Sequence, residues 1–113
     1  MRKKFKIGDR VICPNIDIIT EIHDQCWPND ANRNAYIEDL KEMVGKVYTI
    51  NDMWARTTRG GMQTYGLSFE EQDSKISHWV KPQEMFELYY ESNDDNILPI
   101  FGSMTYEVRD NAN

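Results

Sequence analysis

The spacing of the hydrophobic residues changes at Gly45, and this change constrains the fold more than any other feature of the sequence. The apolar residues before it recur at helical spacing, as Tyr36, Ile37, Leu40, Met43 and Val44. The residues directly after it, 46–50, are rich in β-forming side chains. The sequence therefore predicts a helix over 33–44 that Gly45 ends, followed at once by a strand.

The second half of the chain predicts a β-hairpin. The strand after Gly45 continues to Trp54, and the polar segment 56–61, which ends in two glycines, supplies a turn. In the segment that follows, Tyr65, Leu67 and Phe69 alternate with small residues. Because side chains alternate between the two faces of a strand, we expect these three to share one core, completed by Val47 and Phe86.

Shorter patterns predict the remaining elements. A first strand is expected near 9–13, between the Gly8-Asp9 turn and Pro14. Alternating apolar residues predict a second extended segment over 16–22, and another short one over 76–80. Residues 27–30 predict a break, and residues 82–84 predict a single helical turn.

Length and composition favour one small soluble domain. The chain has 113 residues, of which 40% are hydrophobic. It has no apolar run near the ~20 residues that span a bilayer, and its basic first residues do not lead into an apolar signal segment. We therefore expect neither membrane insertion nor secretion. Two cysteines, Cys13 and Cys26, are too few for a disulfide framework and favour a cytoplasmic location.

Four short motifs carry a resemblance to a known fold family. They are Gly8-Asp9-Arg10-Val11, Gly45-Lys46-Val47-Tyr48-Thr49-Ile50, Tyr65-Gly66-Leu67-Ser68-Phe69 and His78-Trp79-Val80. Together they resemble Src-homology-3-like small β-barrels of the KOW and mind-bomb types, as found in small proteins of bacteriophages and their hosts. The resemblance covers about half of the chain.

The resemblance implies a mainly β fold with one helix, of the α+β class. The expected organisation is a small barrel over residues 1–90, with a helical insert at about 14–44 after the first strand. An acidic linker and C-terminal tail, 91–113, are expected to dock on the barrel.

The charge distribution favours a protein partner over a nucleic acid. The formal net charge is −6, and the basic residues cluster only in the first ten positions. The segment 82–113 holds seven acidic residues against Arg109. A duplex binder needs clustered Lys and Arg, whereas an acidic surface attracts a basic protein surface. We therefore expect a protein partner with a basic surface, and no membrane partner.

Six residues are the candidate binding residues. Trp27 and Trp54 are expected at loop edges, where a partly exposed ring can anchor an interface. Tyr89 and Tyr90 are neighbours, so at least one of them is expected to be accessible. Asp94 and Asp95 carry the exposed acidic charge of the linker.

The sequence gives little sign of catalytic or metal chemistry. Cys13, His23, Cys26 and His78 are its only soft metal ligands, and only His23 and Cys26 form a close pair. A Cys26–His dyad would lack an orienting third group. We therefore expect no enzymatic activity, no metal and no cofactor.

These observations favour a non-catalytic protein-binding module. The resemblance suggests a phage-encoded factor that acts in the host cytoplasm and inhibits or redirects a host protein. The alternative is nucleic-acid or ribonucleoprotein binding through a KOW-like barrel. Its contacts would be Arg2, Lys3, Lys4, Lys6, Arg56 and Arg59.

Overall fold

A four-stranded antiparallel sheet forms the framework of the computed structural model, which describes residues 2–90. The strands are β1 (Arg10–Ile12), β2 (Val47–Thr57), β3 (Gln63–Phe69) and β4 (Glu87–Leu88). Their spatial order in the sheet is β3-β2-β1-β4, and every neighbouring pair is antiparallel. The predicted first strand and the predicted hairpin are confirmed. The expected tail, residues 91–113, lies outside the described residues.

Within residues 2–90, three helices complete the α+β fold, which corrects the expectation of a single helix. They are α1 (Ile16–Cys26), α2 (Arg33–Leu40), which continues into a 3₁₀ turn at Lys41–Met43, and the one-turn α3 (Ser74–Ser77). The helix predicted over 33–44 and the helical turn after Pro82, at Gln83–Met85, are confirmed. No helix in the described part of the chain is long and apolar enough to cross a membrane.

The prediction of an extended segment over 16–22 is wrong, because these residues form the first two turns of α1. The side chain of Asn15 caps the helix by accepting a hydrogen bond from the Ile18 N–H at 3.1 Å. The buried residues Ile19, His23 and Cys26 recur at intervals of four and three, which gives one helical face. The buried face of α1 therefore includes a histidine and a cysteine, His23 and Cys26.

The prediction of an extended segment over 76–80 is also wrong. Asp73 caps α3 by accepting a hydrogen bond from the Ile76 N–H at 3.1 Å, and the chain then turns through His78. Only Ile76 of this helix is buried. Local capping therefore prevails over the β-forming tendency of this apolar segment.

The core prediction is confirmed for three of its five residues. Leu67, Phe69 and Phe86 are at most 2% exposed, and all three belong to one buried cluster. Val47 and Tyr65 are only half-buried.

A bulge in β2 decides which of its residues reach the core. Tyr48 and Ile50 face inward, and Ile50 pairs with Phe69. The register then shifts between Ile50 and Asp52, so that Met53 pairs with Leu67 and also packs on the core. The side chain of Val47 lies on the opposite face of the strand from those of Tyr48 and Ile50. Its prediction as a core residue is therefore wrong.

Trp54 lies within β2 rather than at a loop edge, which corrects its predicted place. It pairs with Gly66 of β3, and a Cβ atom at Gly66 would lie 2.8 Å from the indole carbon Cε2 of Trp54. Only glycine allows the indole to lie this close to the neighbouring strand. The half-buried ring therefore covers the hairpin instead of standing free.

The turn of the hairpin is fastened to the end of α1. The Gly60 N–H donates to the Cys26 carbonyl at 2.8 Å, and a Cβ atom at Gly60 would collide with the Gln25 carbonyl. Arg59 donates to the Pro28 carbonyl at 2.8 Å. The interpretation of residues 59–61 as a turn is thus confirmed, and the turn also holds α1 against the sheet.

Leu67→Ala tests the core, because Leu67 is fully buried where β2 and β3 cross the central cluster. Removing its side chain is expected to lower the free energy of unfolding by about 2–5 kcal/mol, measured by urea denaturation. Ile7→Ala is the matched control, since Ile7 is 61% exposed and should change stability little. Equal stability of the two variants would contradict this core.

Candidate functional site

An aromatic cluster occupies the space between α1, α2 and the segment after α3. Tyr36, on α2, is its centre and is 2% exposed. The Tyr36 ring centroid lies 4.6 Å from that of His23, 5.6 Å from Trp27 and 5.2 Å from Trp79. The Tyr36 hydroxyl donates to the Val80 carbonyl at 2.6 Å. Four rings from three segments thus form one continuous wall.

Three of these rings, those of Trp27, Tyr36 and Trp79, border a surface cavity of about 200 Å³, which we call the aromatic pocket. The residues that line it are Trp27, Asp30, Asn32, Tyr36, Arg56, His78, Trp79 and Val80. The indole N–H of Trp79 donates to Asp39 at 2.7 Å, which fixes the orientation of that ring. The lining therefore combines three aromatic rings with four polar residues, Asp30, Asn32, Arg56 and His78, which we call the rim.

His23 supports the pocket from below. It is fully buried, with Nε2 2.9 Å from Asp30 Oδ2 and Nδ1 3.1 Å from Asp24 Oδ1. Arg33 binds Asp24 with Nε at 2.8 Å, and this contact, followed by that of His23, lowers the pKa of Asp24 to about 2. These contacts connect α1, the turn after it and the start of α2.

Asp30 and Arg56 place opposite charges at the rim. The backbone N–H of Asn32 and the ring of His23 both bind Asp30 and lower the pKa of its carboxyl group. The guanidinium of Arg56, whose backbone pairs with Thr64 in the sheet, makes no ion pair or hydrogen bond with any residue of 2–90 that the structure describes. Its guanidinium is therefore available to an acceptor group of a ligand.

Of the six candidate binding residues, only Trp27 lines the aromatic pocket. It is partly exposed at the end of α1, as predicted for an anchor residue. Tyr89 lies elsewhere, with its ring 5.5 Å from the Arg10 guanidinium, and Tyr90 is 80% exposed. Trp54 covers Gly66.

Asp94 and Asp95 lie outside the described residues. Within these, the pocket contains residues that the sequence analysis did not select as binding residues, above all Tyr36 and Trp79. Their aromatic type was visible, but only the folded chain brings α2 and residues 78–80 together.

Among residues 2–90, both histidines are engaged by oxygen acceptors of the chain. His23 bonds to two carboxylates, and Nδ1 of His78 lies 3.2 Å from the Ser74 carbonyl. Neither histidine forms a hydrogen bond to a cysteine or serine side chain in this part of the chain. The described residues also contain no group of three His, Cys, Asp or Glu side chains placed to hold a metal ion.

Comparison of the chain with protein-family models, curated proteins and solved structures found no match.

Both thiols are expected to be unreactive in the folded protein. Cys13 and Cys26 are fully buried, and burial raises the pKa of Cys13 to about 11 and also raises that of Cys26. The disulfide reagent DTNB at about pH 8 should therefore label neither thiol in the native state and both in denaturant. Rapid labelling of either thiol in the native protein would contradict this burial.

Proposed function

We propose that this protein is a non-catalytic protein-binding module, in which the aromatic pocket receives one side chain of a partner protein. The size and character of the pocket carry the proposal. At about 200 Å³ it is smaller than typical small-molecule sites of about 300–1,000 Å³, but it suits one large side chain. Its two partly exposed indoles, Trp27 and Trp79, are of the residue type that dominates binding energy in interfaces.

The charge around the pocket favours a partner with a basic surface. The two long helices, which frame the pocket, carry exposed acidic residues that include Asp17, Glu21 and Glu38. Over residues 11–55, eight acidic residues face only three basic ones. A basic partner surface would be steered toward such a face, and the encounter rate would fall as salt increases.

A Src-homology-3-like barrel is part of the same proposal. The segment 81–88 pairs with both edge strands of the β3-β2-β1 layer, with β3 at one edge and with β1 at the other. This pairing supports closure of the sheet into a barrel. The Leu67 N–H of β3 donates to the Lys81 carbonyl at 3.0 Å, and Gly66 forms a bridge with Pro82. Six residues later, Leu88 pairs with Val11 of β1. By the resemblance to small phage proteins, the partner would be a host protein that is inhibited or redirected.

The alternative, nucleic-acid binding, is weakened by the contacts of its candidate residues. Lys4 donates to the Phe86 carbonyl at 2.9 Å, Lys6 pairs with Asp9 at 2.8 Å, and Arg59 binds the Pro28 carbonyl. Three of the six proposed phosphate contacts are thus engaged within the chain. Phosphate binding would have to break these contacts.

Trp27→Ala tests the proposed function. A protein captured from a bacterial host lysate and then purified should bind the wild-type chain in surface plasmon resonance. The variant is expected to bind about 30-fold more weakly, because an interface tryptophan in a pocket contributes about 2 kcal/mol or more. Arg56→Gln should also weaken binding, since it removes the charged guanidinium from the rim without removing a ring of the lining.

Ile7→Ala provides the control, because Ile7 is exposed and does not line the pocket. Thermal melts of all variants would confirm that they are folded. Undiminished binding by Trp27→Ala would contradict the role of the pocket. Submicromolar affinity for random-sequence DNA or RNA at physiological salt would instead support the alternative.

A further inference from the structure

A second cavity, of about 280 Å³, opens near the opposite end of α2, and we call it the acidic pocket. The residues that line it are Glu42, Lys46, Val47, Tyr48, Glu71, Asp73 and Ile76. Three of these are carboxylates, from two segments of the chain: Glu42 lies in the turn after α2, and Glu71 and Asp73 lie in the connection between β3 and α3. None of the seven lines the aromatic pocket, so the two cavities are separate features of the surface.

Each carboxylate is held in place by the chain itself. Glu71 accepts hydrogen bonds from the Thr49 N–H at 2.6 Å and from the Thr49 hydroxyl at 2.7 Å. Asp73 accepts the Ile76 N–H with Oδ1, and Glu42 accepts a bond from Lys75 at 2.6 Å. A carboxylate can accept about four hydrogen bonds, so all three retain free acceptor positions.

The buried phenol of Tyr48 supplies the observation that points to a ligand. Tyr48 is only 6% exposed, and its hydroxyl forms no hydrogen bond with any residue of the described range 2–90. Tyr48 lines the same cavity as Glu42, Glu71 and Asp73. Burial raises the pKa of Tyr48, and the negative charges of these carboxylates raise it further. A buried polar group of this kind calls for a partner.

The chemistry of the lining selects a cation with several N–H donors. The described residues contain no set of three ligand side chains close enough for a metal ion, so these carboxylates are too widely spaced for a compact metal shell. A guanidinium is planar and carries five N–H donors, which can bridge separated oxygen acceptors. The ammonium of lysine is a compact point charge and spans such a set less well.

We propose that the acidic pocket binds the guanidinium group of an arginine side chain, with the oxygens of Tyr48, Glu71 and Asp73 as acceptors. When the arginine belongs to a partner protein, this inference rests on the proposed function. It then names the group on the partner's basic surface that this chain recognises. Lys46 also lines the pocket, and its ammonium competes with an incoming cation.

The test is an NMR titration of the ¹⁵N-labelled full chain with N-acetyl-arginine amide. The amide signals of Thr49 and Ile76 should shift and saturate, because these N–H groups bind the carboxylates of Glu71 and Asp73. The citrulline analogue has the same shape without the charge and should cause no saturable shift. Equal binding of the arginine and citrulline amides, or of the arginine and lysine amides, would overturn the proposal.

Two conservative variants locate the site. Tyr48→Phe keeps the buried ring, and Asp73→Asn keeps a side chain that can cap α3. Each should weaken the binding of arginine amide by about five- to tenfold, because each removes an acceptor from a charged hydrogen bond. Lys46→Gln should instead strengthen binding, since it removes the competing cation.

Glu70→Gln is the matched control, because Glu70 is exposed, does not line the pocket and carries the same charge as its neighbour. Losses as large in this variant as in Asp73→Asn would show a general charge effect and overturn the site. The titration uses no partner protein. Its failure would therefore remove only the arginine site, whereas failure of the Trp27→Ala experiment would remove the proposed function of the aromatic pocket.

Discussion

One buried tyrosine connects the helical part of the protein to the rest of the fold. The Tyr36 ring contacts His23 and Trp27 from α1 and Trp79 from the segment after α3, and its hydroxyl binds the Val80 carbonyl. Burial raises the pKa of Tyr36 well above its usual range, so the hydroxyl stays protonated and remains a donor. Without this residue, His23 and Trp27 would lose the ring that lies between them and Trp79, and the aromatic pocket would lose part of its lining.

Two cavities border α2 and the turn that follows it. Near its start, the rings around Tyr36 form the aromatic pocket; just beyond its end, Glu42 helps to form the acidic pocket. Two contacts fix α2 to the chain around α3, between Trp79 and Asp39 and between Lys75 and Glu42. The helix and its following turn are about 16 Å long.

Local patterns predicted much of the fold. The hairpin and α2 were predictable because alternation and helical spacing are properties of neighbouring residues. The helix α1 was missed because Ile16, Ile18 and Ile22 imitate strand alternation; the capping Asn15 and the spacing of the buried residues of α1 were the better signal.

Lys81 was unpredictable for another reason. This lysine is 1% exposed, and its ammonium binds the carbonyls of Ile76 and Trp79, backbone groups whose positions depend on the turn after α3 and not on any side-chain pattern. The aromatic pocket was only partly predictable. Trp27 could be selected as an anchor from the sequence, but the residues that line the pocket with it come from distant segments.

The aromatic cluster around Tyr36 is the central claim of this account, and a two-dimensional NOESY spectrum of the full chain tests it most directly. Ring centroids 4.6–5.6 Å apart predict cross-peaks from the Tyr36 ring protons to those of His23, Trp27 and Trp79. The cross-peak to Trp79 matters most, because these residues are far apart in the sequence. Its absence in the folded protein, with the hairpin cross-peaks between β2 and β3 present, would contradict the packing of α2 against residues 78–80.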